Sequence, residues 1–147
     1  MTSAYSRTAL AVAALGLCTT AALADDHVYT EGPVVNVAAI RTEYGHFDDY
    51  MKYLENTWKP EQEAAKKAGY ILSYRVMSAE PRTENDPDIL LIITYKDWAA
   101  LDNGLARSDA ILKQVEGTLM ASNQGAVDRA KIRRVLGSQT MQELELK

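Results

Sequence analysis

Hydrophobic and polar positions along the chain fall into short blocks whose period alternates between two residues and about three and a half. Val34 to Thr42 (VVNVAAIRT) is a valine-rich run bounded by Gly32-Pro33 and Gly45, and it reads as a first strand. In the next block Phe47, Tyr50, Met51, Leu54, Trp58, Ala65 and Ala68 recur at spacings of three and four, which predicts a helix over 47–67 with one apolar face. Asp48 and Asp49 in its first turn and Lys66 and Lys67 in its last suit the helix dipole, and Gly69 is placed to end it. Pro60 lacks an N–H and crowds the preceding turn, so a kink or split is expected near Trp58.

Tyr70 to Ala79 reads as a second strand, with Leu72, Tyr74 and Val76 on one side and Ile71, Ser73, Arg75 and Met77 on the other. A polar connection with two prolines follows, and then Ile89 to Tyr95 (ILLIITY) forms a third strand that is apolar on both sides. Such a strand has to be covered on both faces. Trp98 to Leu105 reads as a short helix entered from Asp97, and Ser108 as the cap of another carrying Ile111, Leu112, Val115 and Leu119. A further helical piece is expected over Ala126 to Arg134, broken by Gly137 ahead of a last strand from Thr140 to Leu146. The order strand, helix, strand, strand, helices, strand is the split βαβ pattern. The expected fold is therefore α+β, a ferredoxin-like βαββαβ antiparallel sheet with helices on one face. The uncovered face of Ile89–Tyr95 wants a partner, and a second copy of the chain is the simplest one.

On these elements, on Lys96-Asp97-Trp98-Ala99-Ala100-Leu101 after the third strand, and on the closing Gly137-Ser138-Gln139-Thr140-Met141-Gln142-Glu143-Leu144, the chain resembles the dimeric α/β-barrel superfamily. The resemblance spans roughly Val34 to Lys147. It implies a homodimer in which two sheets pair into a barrel. That superfamily includes cofactor-free monooxygenases, haem-degrading enzymes, dye peroxidases, muconolactone isomerases and exported members of unknown activity, so the likeness leaves the reaction open. Its haem-handling members use a histidine on the second long helical region, and residues 98 to 135 contain none, which argues against haem here.

The start of the chain changes the picture of where it works. Arg7, the apolar run Thr8 to Leu17 and the small-x-small Ala22-Leu23-Ala24 read as a secretory signal peptide over residues 1–24. The apolar run falls well short of the roughly 20 residues that span a bilayer. A periplasmic or secreted protein is expected, with a polar lead-in over 25–33 and one domain over 34–147. Removing 24 of the 147 residues leaves 123, enough for one core. Cys18 is the single cysteine and lies within this leader, so the mature chain carries no thiol and no disulfide. A lipid anchor would use such a cysteine, but Leu15-Gly16-Leu17-Cys18 puts a bulky leucine where a small residue is wanted. The net charge of −4 becomes one unit more acidic when Arg7 leaves, which argues against nucleic-acid and anionic membrane partners.

Several residues could carry chemistry. His46, in Glu43-Tyr44-Gly45-His46-Phe47-Asp48-Asp49, is the acid–base candidate, because nearby carboxylates raise and orient an imidazole. Glu43, His46 and Asp49 could also converge as ligands, although a cap residue on an acidic helix start has the same pattern. Tyr50, Trp58, Tyr74 and Trp98 could wall a cleft between helices and sheet for a small aromatic or hydrophobic ligand, with Arg75 supplying positive charge. The alternative is that these aromatics are core and Arg75 an exposed sheet residue. Asn36 is the one polar side chain in the first strand's apolar run and could point into such a cavity. Cleavage after Ala24 would expose Asp25-Asp26-His27, whose amine, two amides and imidazole make a square-planar nitrogen site suited to Cu(II) or Ni(II). No other cofactor is implied. Three functions remain open at this point: a small-molecule-binding homodimer, a cofactor-independent monooxygenase or isomerase acting on a small hydrophobic or phenolic compound, and a structural or interaction module. The charge run Glu61 to Lys67 is expected only to solvate its helix.

Overall fold

The computed structural model describes residues 27–147. Strand β1 (Tyr29–Thr42) is followed by helix α1 (Phe47–Tyr53), a π-helical turn (Leu54–Trp58) and helix α2 (Lys59–Lys67). Strands β2 (Ser73–Ser78) and β3 (Ile89–Tyr95) come next, then a 3-10 turn (Trp98–Leu101), helices α3 (Gly104–Glu116) and α4 (Leu119–Arg129), and strand β4 (Arg133–Leu146). The four strands form one antiparallel sheet in the order β2-β3-β1-β4. This is the ferredoxin-like α+β arrangement expected from the element order.

The long helical stretch runs without interruption through Pro60. Its proline is absorbed by the π turn, in which the Lys59 N–H bonds back five residues to the Leu54 carbonyl. The widened turn makes room for a ring that would collide with the Asn56 carbonyl in a regular α-helix. Gly69, at φ +74, ends α2 as expected, and its N–H bonds the Lys66 carbonyl.

Other boundaries differ from the sequence reading. β1 starts at Tyr29, not Val34, because Gly32-Pro33 lies within the strand at a register shift between Glu31 and Val34. A bulge excuses the missing proline N–H from the ladder. β2 is shorter than expected, running from Ser73 to Ser78. β4 starts at Arg133, so the expected helix over 126–134 stops at Arg129. Gly137 pairs with Ala39 inside β4 instead of breaking a helix, next to a second irregularity that leaves Leu136 unpaired. Pairing along nearly the whole of β1 overrides the weak local helical pattern. The expected helix at Trp98 is only a single 3-10 turn, capped by the Asp97 side chain accepting from the Ala100 N–H at 2.9 Å. Helix α3 begins at Gly104, ahead of Ser108, and Gly117 at φ +82 separates it from α4, which Thr118 caps.

The core forms where the helices meet the sheet. Ile40, Tyr50, Leu54, Trp58, Ile89 and Leu91 are buried together, with Ala38, Tyr53, Tyr74, Ile93 and Ile132 packed against them. Alternation along β1 and β3 then turns Val35, Val37, Ala39, Leu90, Ile92 and Thr94 to the opposite face. Register places Met77 and Met141 on that face too. No helix among the described residues covers it, and Met77 and Met141 are exposed. Among the described residues no helix is long and apolar enough to cross a membrane.

Candidate functional site

A cavity of about 230 Å³ lies between α2, α3, the 3-10 turn and the sheet edge. Its walls are mainly apolar: Ile71 ahead of β2, Ile93 and Tyr95 on β3, Leu101 on the turn, and Ile111 and Leu112 on α3. Local sequence explains the space. After the 3-10 turn, Asp102 is extended and Asn103 adopts φ 57, a left-handed conformation that asparagine tolerates. The chain reverses there and α3 starts beside the turn, with the small residues Ala65, Ala100 and Gly104 at the wall. Burial raises the Tyr95 phenol pKa.

Glu61, Gln62, Arg107 and Ser108 add polar groups to the lining. Arg107, in the first turn of α3, donates to the Ala100 carbonyl at 2.7 Å and stacks its guanidinium over the Tyr70 ring at 5.1 Å. Among the described residues it makes no ion pair. Glu61, in the first turn of α2, lines the wall. Desolvation first, and then the neighbouring Glu116 carboxyl, push its pKa up to about 7, while Arg129 pulls the other way. Glu116 Oε1 is buried with no hydrogen-bond partner. Arg129 lies over the Tyr53 ring at 4.5 Å, and burial holds the Tyr53 pKa up at about 12. The cavity can therefore hold a small flat molecule between a cation and a protonatable carboxyl.

The residues singled out from sequence are dispersed. Tyr50 and Trp58 are 1% and 8% exposed in the hydrophobic core and do not line the cavity. Tyr74 meets the Trp58 ring edge-on at 5.4 Å and donates its hydroxyl to Glu63, which holds its pKa up at about 12. Arg75 is exposed and pairs with Ile92 on the uncovered sheet face, away from the helices. Asn36 does turn to the helix side, but its amide donates to Ser138 Oγ at 2.9 Å and Thr140 Oγ1 at 2.8 Å. Trp98 bridges from the 3-10 turn to β4, its indole N–H donating to Gln142 at 2.9 Å. His46 sits at the start of α1, where its Nδ1 lies 3.1 Å from Asp49 and both side chains are about half exposed. That contact, together with Lys52, holds the Asp49 pKa low. Glu43 pairs instead with Arg134 at 3.2 Å.

Asp25 and Asp26 lie outside the described residues, as does the leader over 1–24. The His27 ring stacks on Tyr29 with centroids 5.3 Å apart. Among the described residues no group of three or more His, Cys, Asp or Glu side chains is placed to hold a metal ion.

Sequence reasoning passed over Glu61, Tyr70, Tyr95, Arg107 and Glu116. A signal for two of them was present. Glu61 falls three residues after Trp58 and four before Ala65, and Arg107 falls four before Ile111, so both occupy positions on an inward stripe.

No family model and no curated protein matches the chain. Two solved structures share its fold. HapK from Hahella chejuensis superposes with a TM-score of 0.50 at 12% identity, over 75% of this chain and 91% of that one. A dimeric ferredoxin-like protein from an uncultured marine organism gives a TM-score of 0.51 at 14% identity, over 80% of this chain and 98% of that one. At such identities the likeness shows the fold: this chain is built on a ferredoxin-like scaffold.

Proposed function

We propose that the chain is an exported, homodimeric small-molecule-binding protein that works without a cofactor and takes one small aromatic or hydrophobic ligand per protomer. The observation that carries the reading is the cavity between α2, α3 and the sheet, apolar along its walls with only a few polar groups. Its roughly 230 Å³ exceeds the ~150 Å³ space that accepts benzene in an engineered core, so a single ring with one or two substituents is the right size. Dimer formation is supported by the apolar face of Val35, Val37, Leu90, Met77 and Met141, where both methionines are exposed, and by the dimeric description of one protein sharing the fold. Export is supported by the pattern of residues 1–24.

The test is calorimetric titration of the purified protein with phenol, benzoate and indole, beside an Ile111→Trp variant in which the indole fills the cavity. Binding of at least one probe with one site per protomer, lost in the variant while its circular dichroism is unchanged, is the expected result. Binding that persists undiminished in the filled variant, or no binding by any probe, overturns the reading.

A second reading has one specific observation in its favour. Glu61 is a carboxyl held near pH 7 at the cavity wall, where a general acid or base is most effective. A cofactor-independent enzyme acting on a phenolic compound would use Glu61 there in preference to His46, which lies outside the cavity lining. Turnover of a phenolic panel that disappears in Glu61→Gln and survives in His46→Ala would favour that enzyme. The opposite pattern would return the role to His46.

A further inference from the structure

We propose that the cavity selects small aromatic monocarboxylates, with Arg107 seating the carboxylate and the Glu61 carboxyl in the lining turning away ligands that carry a second negative charge. The proposal rests on the binding role argued above and names the class of ligand for that same cavity.

Arg107 carries the first half. A guanidinium offers five N–H donors in a planar fork that matches a carboxylate. Among the described residues Arg107 commits one donor to a hydrogen bond, to the Ala100 carbonyl, and it has no carboxylate partner. An unpaired cation on the wall of an apolar cavity is costly when the cavity is dry, and an anion relieves that cost. Tyr70 beneath the guanidinium holds its plane in place. The start of α3 adds to the positive field there, since Asn103 gives it no side-chain cap.

Glu61 carries the second half. It stands in the cavity lining from α2, as Arg107 does from α3. Burial is the leading cause of its raised pKa, so negative charge at this wall is poorly solvated. A hydroxyl or a carbonyl on the ligand can exchange a hydrogen bond with this carboxyl. A second carboxylate meets a wall that already resists charge.

The test compares benzoate, benzamide and terephthalate by calorimetry at pH 7 on the unmodified protein, on Arg107→Gln and on Arg107→Lys. Benzamide has the shape of benzoate without its charge, and terephthalate adds the second carboxylate. Benzoate is expected to bind about tenfold or more tighter than either, the range for a charge-assisted hydrogen bond in place of a neutral one. Arg107→Gln should erase the preference over benzamide, and Arg107→Lys should keep part of it. Equal affinity for benzoate and benzamide, or for benzoate and terephthalate, overturns the assignment while leaving a general binding role standing. If none of the three binds and phenol and indole fail as well, the binding role itself falls and this assignment with it. The ligand comparison on the unmodified protein decides the matter even if a variant does not fold.

Discussion

Replacing Glu61 with glutamine removes a carboxyl that the fold keeps protonated well above its usual range, and the consequence for stability has a definite sign. The Glu61 pKa stands at about 7 against an ordinary 4.5, with desolvation the leading cause and Glu116 the next. Between those two values the folded state holds a proton that the unfolded chain has released. Folding is therefore penalised progressively as pH rises from about 4.5, and the penalty levels off above about 7. Taken in full, a rise of that size is worth about 3 kcal/mol. Glu61 is only partly buried, and solvent screening brings the figure to about 1–2 kcal/mol. Glutamine keeps the shape but cannot ionise. Above pH 7 the Glu61→Gln variant should therefore be the more stable protein by about 1–2 kcal/mol, or about 4–8 °C in melting temperature for a domain of this size. At pH 5 most of that advantage should be gone. Urea midpoints at pH 5, 6, 7 and 8, taken at one protein concentration because association would make stability concentration-dependent, give the comparison. Parallel pH profiles for parent and variant would refute the reasoning, because they would mean that Glu61 ionises in the fold as it does in the unfolded chain.

Leu54→Ala, which opens a hole in the core beneath the π turn, should cost about 2–5 kcal/mol in urea denaturation, and a loss below 1 kcal/mol would show that the turn collapses into the space. Val37→Glu places a charge at the middle of the uncovered sheet face and should convert a dimer to a monomer in sedimentation velocity; an unchanged mass would place the interface elsewhere. Asp97→Ala removes the cap accepting from the Ala100 N–H and should cost about 1 kcal/mol, together with a measurable weakening of probe binding because Ala100 and Leu101 belong to the cavity wall. Gly69→Ala forces a side chain into φ +74 at the end of α2 and should destabilise by about 1 kcal/mol, read as a lower melting temperature.

The fold was readable where a single strong pattern left one choice. Ile89–Tyr95 is apolar at every position but its last two, and it became the central strand whose Ile89 and Leu91 face helices and whose Leu90 and Ile92 do not. The stripe from Phe47 to Ala65 became one continuous helical stretch, and Pro60 perturbed it at Trp58 through a widened turn. Where local signals were weak, pairing with a distant segment decided. Gly32-Pro33 and Gly137 look like punctuation in sequence, yet both lie inside long strands because β1 and β4 hold each other along most of their length and place the irregular residues at register shifts. A glycine or proline at a bulge has the same local appearance as one in a turn, and only the partner strand tells them apart.

The site was harder to read for a different reason. Tyr50, Trp58 and Tyr74 attracted attention because they are large aromatics, and large aromatics on an inward stripe are what a core consumes first. The cavity formed instead where the stripe carries residues that cannot fill space, Ala65 on α2 with Ala100 and Gly104 opposite. Its polar groups Glu61 and Arg107 occupy stripe positions; the sequence reading takes Glu61 as part of a run that solvates its helix and does not single out Arg107. A charged residue at a core-facing phase has to be compensated, and the two do so in different ways: Glu61 by keeping a proton beside Glu116, Arg107 by lying on Tyr70 with most of its donors uncommitted. The first way removes a charge and leaves the wall able to donate or accept. The second leaves a charge in place for a ligand to answer. A cavity with those two groups can discriminate by charge as well as by size, which a core of the same volume lined only by Ile71, Ile93, Ile111 and Leu112 could not do.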